Sequence, residues 1–204
     1  MASGDVLQAA VNRMLVSTNY CFIGMNLQTA CEKQAEAIQF TEDRKQKIFT
    51  MQMQYNQSSI LKLIGTDEEP KYTAEGQDIL ATNSSIMTTY YFHKVFISFL
   101  FRSYDGTKEN IGKYLACIVN TWANLFYAHF TFHAYYIGLI SFWLARKSTA
   151  GHQWLESGKN SKLALKKWAE SSLWTFENRW YLLEAEESYC NNDFDVAKLF
   201  YDKP

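Results

Sequence analysis

The chain has 204 residues, 16% of them aromatic, and a net charge of −1 from 20 Lys and Arg against 21 Asp and Glu. That length is enough to bury a sizeable core, and the near-neutral balance gives no whole-chain electrostatic case for nucleic acid or an anionic membrane. Two prolines and nine glycines are too few for a multi-stranded sandwich with its frequent turns.

Apolar spacing predicts helices throughout. Asp5 to Tyr20 reads as the first, with Leu7, Val11, Met14 and Leu15 on one face, broken by Gly24. Leu27 to Phe40 reads as the second, with Ala30, Gln34, Ala37 and Ile38 at helical intervals. Thr41-Glu42-Asp43 has the composition of a helix start and predicts a third helix to Ile64, closed by Gly65 to Pro70. Residues 71–83 carry one short helix at most. Ser84 or Ser85 starts a long helix to Tyr104, Asp105-Gly106 is a predicted turn, and Thr107 to Trp122 is the next helix. Leu125 to Ala145 follows, apolar nearly all round. Arg146 to Gly158 is polar and reads as a loop or frayed end, and Ser161 to Leu173 as a further helix.

The C-terminal stretch predicts a helical hairpin. Thr175 can cap a helix to Cys190, with Glu177 in its opening turn beside the positive end of the dipole. Asn191-Asn192-Asp193 breaks it, because Asn and Asp favour turns and caps. Phe194, Ala197 and Tyr201 then share one face, and Leu182, Ala185 and Tyr189 form the matching face of the preceding helix. Small residues at Ala185 and Ala197 let the two helices approach. This order of small and aromatic positions is similar to a tetratricopeptide-type repeat. Long helices begin at intervals of about forty residues, against the usual unit of about 34. The pairs Tyr20-Cys21 and Tyr189-Cys190 echo one another. The expectation is an all-α chain, a TPR-like α-solenoid of antiparallel hairpins in a right-handed stack, forming a single helical-repeat domain over 1–204 that is truncated at its C-terminal end.

Cys21, Cys31, Cys117 and Cys190 show no CxxC spacing, so neither zinc nor a redox pair is signalled. The polar N-terminus lacks a signal-peptide apolar run, and the thiols are expected to be reduced, buried and cytoplasmic. Leu125 to Ala145 is long enough to span a bilayer. Its His129, His133, Thr131 and Ser141 would be penalised in hydrocarbon, so it reads as a helix buried in protein. His129 and His133 in HFTFH share a helix face, as metal ligands do, but Phe130 stands where the metalloprotease pattern needs Glu. No third ligand is indicated, and core histidines are the simpler account.

Lys159, Lys162, Lys166 and Lys167 lie beside Trp154 and Trp168, a combination that can face nucleic acid. Glu177, Glu184, Glu186 and Glu187 on the following helix predict cross-helix charge pairs instead. Gly151 to Ser161 fails the phosphate-loop spacing, with Asn160 after the Lys and no preceding strand. No nucleophile-elbow or kinase catalytic pattern occurs, so catalytic, cofactor and metal residues are all expected to be absent.

Three segments taken together, Leu165 to Glu170, Asn178 to Glu186 and Asp195 to Lys203, resemble the helical repeat region of large multi-sensor signalling proteins. The resemblance extends over most of the chain and rests on packing motifs. Those proteins join a serine/threonine-kinase-like domain, an AAA-type ATPase, this helical region, a GAF domain and often a histidine kinase. It implies a protein-interaction and regulatory segment, with protein partners and no catalysis of its own, and the charge balance and the central helix add the expectation of no nucleic-acid or membrane partner. In that family further repeats would follow Lys203, so a chain stopping at Pro204 is expected to be a fragment or shortened relative. The alternative is a compact helical bundle with an aromatic-lined ligand or metal pocket around His93, His129 and His133.

Overall fold

The computed structural model describes residues 5–20, 22–66, 74–118, 127–148 and 151–203. These residues are helical with short turns, and no strand occurs among them. The chain is therefore all-α. Its helices are α1 (Val6–Asn19), α2 (Leu27–Asp43), α3 (Lys47–Ile64), α4 (Ala74–Thr82), α5 (Ser84–Leu100), α6 (Tyr104–Ile118), α7 (Tyr127–Lys147), α8 (His152–Ser171), α9 (Leu173–Cys190) and α10 (Phe194–Tyr201). They fall into two compact units, Met1–Asn124 and Leu125–Pro204.

In the first unit α1 packs on α2 and α3, α3 on α5, and α5 on α6. Asp5 caps α1 through Leu7 N and Gln8 N, and Asn26 caps α2 through Gln28 N and Thr29 N. Met14, Ala37, Ile38 and Met53 form one apolar cluster, and Met51, Tyr55 and Ile86 another. Leu7 is exposed, and the inward face of α1 runs through Ala10, Met14, Ser17 and Thr18. Polar side chains are buried in this unit as well. Gln34 Nε2 donates to Met53 O at 3.0 Å, Asn56 Nδ2 to Gln34 Oε1 at 3.3 Å, and Ser59 Oγ lies 3.0 Å from His93 Nδ1.

The turns correct three boundaries. Thr41-Glu42-Asp43 continues α2: Thr41 Oγ1 bonds back to Ile38 O at 2.9 Å, and the break comes at Lys45 with φ 57°. Only Lys47 begins α3, which ends where Gly65 adopts φ 97° and Thr66 N reaches Leu61 O at 3.0 Å, a left-handed C-cap suited to glycine. The long helix predicted to Tyr104 stops at Leu100, with Arg102 at φ 58°, and Asp105-Gly106 falls inside the first turn of α6. Residues predicted at 119–122 lie outside the described residues.

In the second unit α7, α8 and α9 pack on one another, and α10 folds back on α9. The core is Phe142, Leu165, Ala169, Phe176 and Leu183. The polar stretch read as a loop from Arg146 to Gly158 is mostly helix: α7 runs to Lys147 and α8 starts at His152. Gly158 is buried against the Phe142 ring. A glycine in that position marks close helix packing as readily as a turn, which is why composition alone misplaced it. Thr175 lies inside the first turn of α9 rather than at its cap, its Oγ1 2.9 Å from Ser172 Oγ. No helix among the described residues is long and apolar enough to cross a membrane.

Candidate functional site

The side chains of α9 divide by face. Phe176 and Leu183, two turns apart, point into the core, and Ala185 is buried with them. The next face carries the acids. Lys162 of α8 pairs with Glu184 at 2.8 Å and with Glu187, while Arg146 of α7 pairs with Glu186. Burial of Lys162 works against its charge, but the two carboxylates prevail and its pKa is raised. Of the lysine cluster, Lys162 makes the cross-helix pairs expected from sequence, Lys159 pairs with Glu156 of its own helix, and Lys166 lies over the Trp180 ring.

The α9–α10 hairpin closes with Ala185 and Ala197 both buried. Asp193 caps α10 through Val196 N, and Asn192 makes the turn at φ 61°. Phe194 meets Tyr189 edge to face, with centroids 5.2 Å apart, and Phe200 packs on Tyr181 at 5.8 Å. Tyr201 donates its hydroxyl to Glu186 at 2.7 Å, so partial burial and that carboxylate push its pKa well above the ordinary value. The Cys190 thiol donates to Phe142 O at 3.4 Å, and burial pushes its pKa up despite Arg146 beside it.

Where α7, α9 and the end of α10 meet, a cleft of about 230 Å³ remains open to solvent. Tyr135 comes from α7, Asn178, Arg179, Tyr181 and Leu182 from α9, and Phe200, Tyr201 and Lys203 from α10 and just beyond. Leu182 and Tyr201, picked out in the sequence as repeat-packing residues, are thus walls of this cleft, and Tyr201 is 44% exposed. The Arg179 guanidinium lies over Phe132 at 4.9 Å and Tyr135 at 5.8 Å, and the Lys203 ammonium stands 5.7 Å from the Tyr181 ring. Among the described residues neither cation has a carboxylate partner, and no carboxylate lines the cleft. Glu177 and Glu186 flank it, held by the hydroxyls of Tyr181 at 2.6 Å and Tyr201.

His93 is buried in the first unit beside Ser59, and His133 is buried in α7 of the second. The His129 side chain lies outside the described residues. Among the described residues no group of His, Cys, Asp and Glu could hold a metal ion. Cys31, Cys117 and Cys190 are half-buried thiols, and Cys21 lies outside the described residues.

In comparison with protein-family models, curated proteins and solved structures, the chain matches none. Sequence reasoning found the hairpin but missed the cleft. Its cations are spread over Arg179 and Lys203, and its far wall, Tyr135, belongs to a helix two elements earlier.

Proposed function

We propose that the chain is a TPR-like helical-repeat segment that binds protein and does no catalysis of its own, within a signal-transduction protein of the ATPase/kinase type. The observation that carries this reading is the terminal hairpin. Ala185 and Ala197 are buried where α9 meets α10, while Phe200, Tyr201 and Lys203 are left around an open cleft. Helical hairpins that bury small residues at their seam and present aromatic and charged residues outward are suited to holding a polypeptide. The resemblance of Asn178 to Glu186 and Asp195 to Lys203 to the repeat region of multi-sensor proteins supplies the signalling context.

The test is to read the coding sequence on either side of the chain and to titrate the purified chain with the adjoining domain. Kinase-like, AAA-type ATPase or GAF sequence is expected nearby, with saturable binding by calorimetry. Flanking sequence of another kind, together with no binding, rejects the proposal.

A further inference from the structure

We infer that the cleft between α7, α9 and α10 takes a short acidic segment of a partner polypeptide that carries one apolar anchor side chain. This rests on the interaction reading above and names the partner's chemistry. At about 230 Å³ the cleft is smaller than the roughly 300–1,000 Å³ of a drug-sized ligand's pocket. It has room for a side chain or two dipping in from an extended chain. Its walls offer aromatic faces from Tyr135, Tyr181 and Phe200, which suit an apolar anchor.

Charge supplies the other half. Arg179 and Lys203 both line the cleft, each over an aromatic ring and paired with no carboxylate among the described residues. Two half-buried cations of the same unit do have such partners, Lys162 with Glu184 and Glu187, and Arg146 with Glu186. A cation stacked on an aromatic ring keeps its charge directed at a ligand without losing it to a salt bridge. A guanidinium forks naturally onto a carboxylate. Glu177 and Glu186 on the flanks limit the positive potential to the cleft itself. A continuous polyanion such as a nucleic-acid strand would have to pass those acids, whereas a brief acidic motif would not.

The experiment uses a fluorescent peptide in which Asp and Glu flank a single Phe, titrated into the whole chain. The comparison probes are the same peptide with Asn and Gln for the acids, and a single-stranded oligonucleotide. The acidic peptide is expected to bind saturably and to weaken as salt is raised. Arg179→Gln and Lys203→Gln should each weaken it by roughly tenfold, while Lys198→Gln, on the exposed side of α10, should not. Should Arg179→Gln disturb the fold through its ring contacts, the exposed Lys203→Gln still decides. Equal binding of the amide peptide, unchanged affinity in both variants, preference for the oligonucleotide or no binding at all would each overturn the inference. Titration with the adjoining domain separates the two readings. If that domain binds native and variant chains alike, the interaction segment stands and this cleft assignment falls. If it does not bind either, both fall.

Discussion

Gly158 of α8 lies against the ring of Phe142 of α7 so closely that a Cβ added there would stand 2.7 Å from the ring carbon Cε1. Phe142 is fully buried, so its ring has little room to give. The same two helices also meet at Ser141 and Ser157, whose hydroxyls are 3.1 Å apart. The spacing of α7 and α8 is therefore set by the absence of one carbon. Gly158→Ala is expected to destabilise by roughly 1–3 kcal/mol through overpacking, although Ala is the better helix former by about 1 kcal/mol. Gly112→Ala, on α6 with nothing within 4 Å of the added carbon, should instead be neutral or slightly stabilising. Thermal unfolding of the two variants beside the native chain checks this. A Gly158→Ala protein that melts higher would show that the seam is loose.

The seam between α9 and α10 makes a parallel case. Ala185 is 0% and Ala197 2% exposed. Leu at either position is expected to cost roughly 1–3 kcal/mol. Lys198→Leu, exposed on the same short helix, should stay within about 0.5 kcal/mol of native. Chemical denaturation followed by circular dichroism distinguishes them. Identical midpoints for all three would mean that α10 does not pack through Ala197.

The pH dependence of the second unit should lie on the alkaline side. Tyr201 has a folded pKa raised above its ordinary 10.0, through burial and its bond to Glu186. Lys162 has one raised above 10.5, because Glu184 and Glu187 outweigh its burial. A group whose pKa is raised on folding contributes stability in full below its unfolded value and loses it as pH climbs through the folded value. Stability is thus expected to fall from about pH 10 upward, as the unfolded chain releases protons from Tyr201 and Lys162 that the folded chain still holds. Tyr201→Phe should flatten part of that fall. Denaturation midpoints measured from neutral to alkaline pH give the slope, and an unchanged slope in Tyr201→Phe would dissociate it from the effect.

Helix content was legible because helical periodicity needs only local sequence. The inward residues of α2, Ala30, Gln34, Ala37 and Ile38, were all readable from their spacing. Two boundaries were not, because Lys45 and Arg102 take the left-handed conformation without being residues that favour it. Thr41 misled for a related reason: a hydroxyl that can cap a helix can equally bond back within one, as it does to Ile38 O. The expected charge pairing of the lysine cluster with the α9 acids was readable in kind, since opposite charges lay on consecutive helices. Which lysine would reach was decided by packing. The cleft was beyond reach, because Tyr135, Arg179 and Lys203 acquire a common location only when three helices are assembled.

Cys190 turns this architecture into a clock. Its sulfur is tucked under the Phe142 carbonyl of α7, at the very end of α9, and burial holds it in the unreactive thiol form. Half-buried there, it is shielded from an alkylating reagent on the side packed against α7, and that shield lifts when the end of α9, and with it α10, swings away. Labelling is therefore expected to run slower than at an unstructured thiol and to quicken as the hairpin loosens, so its rate follows how firmly α9 and α10 are held.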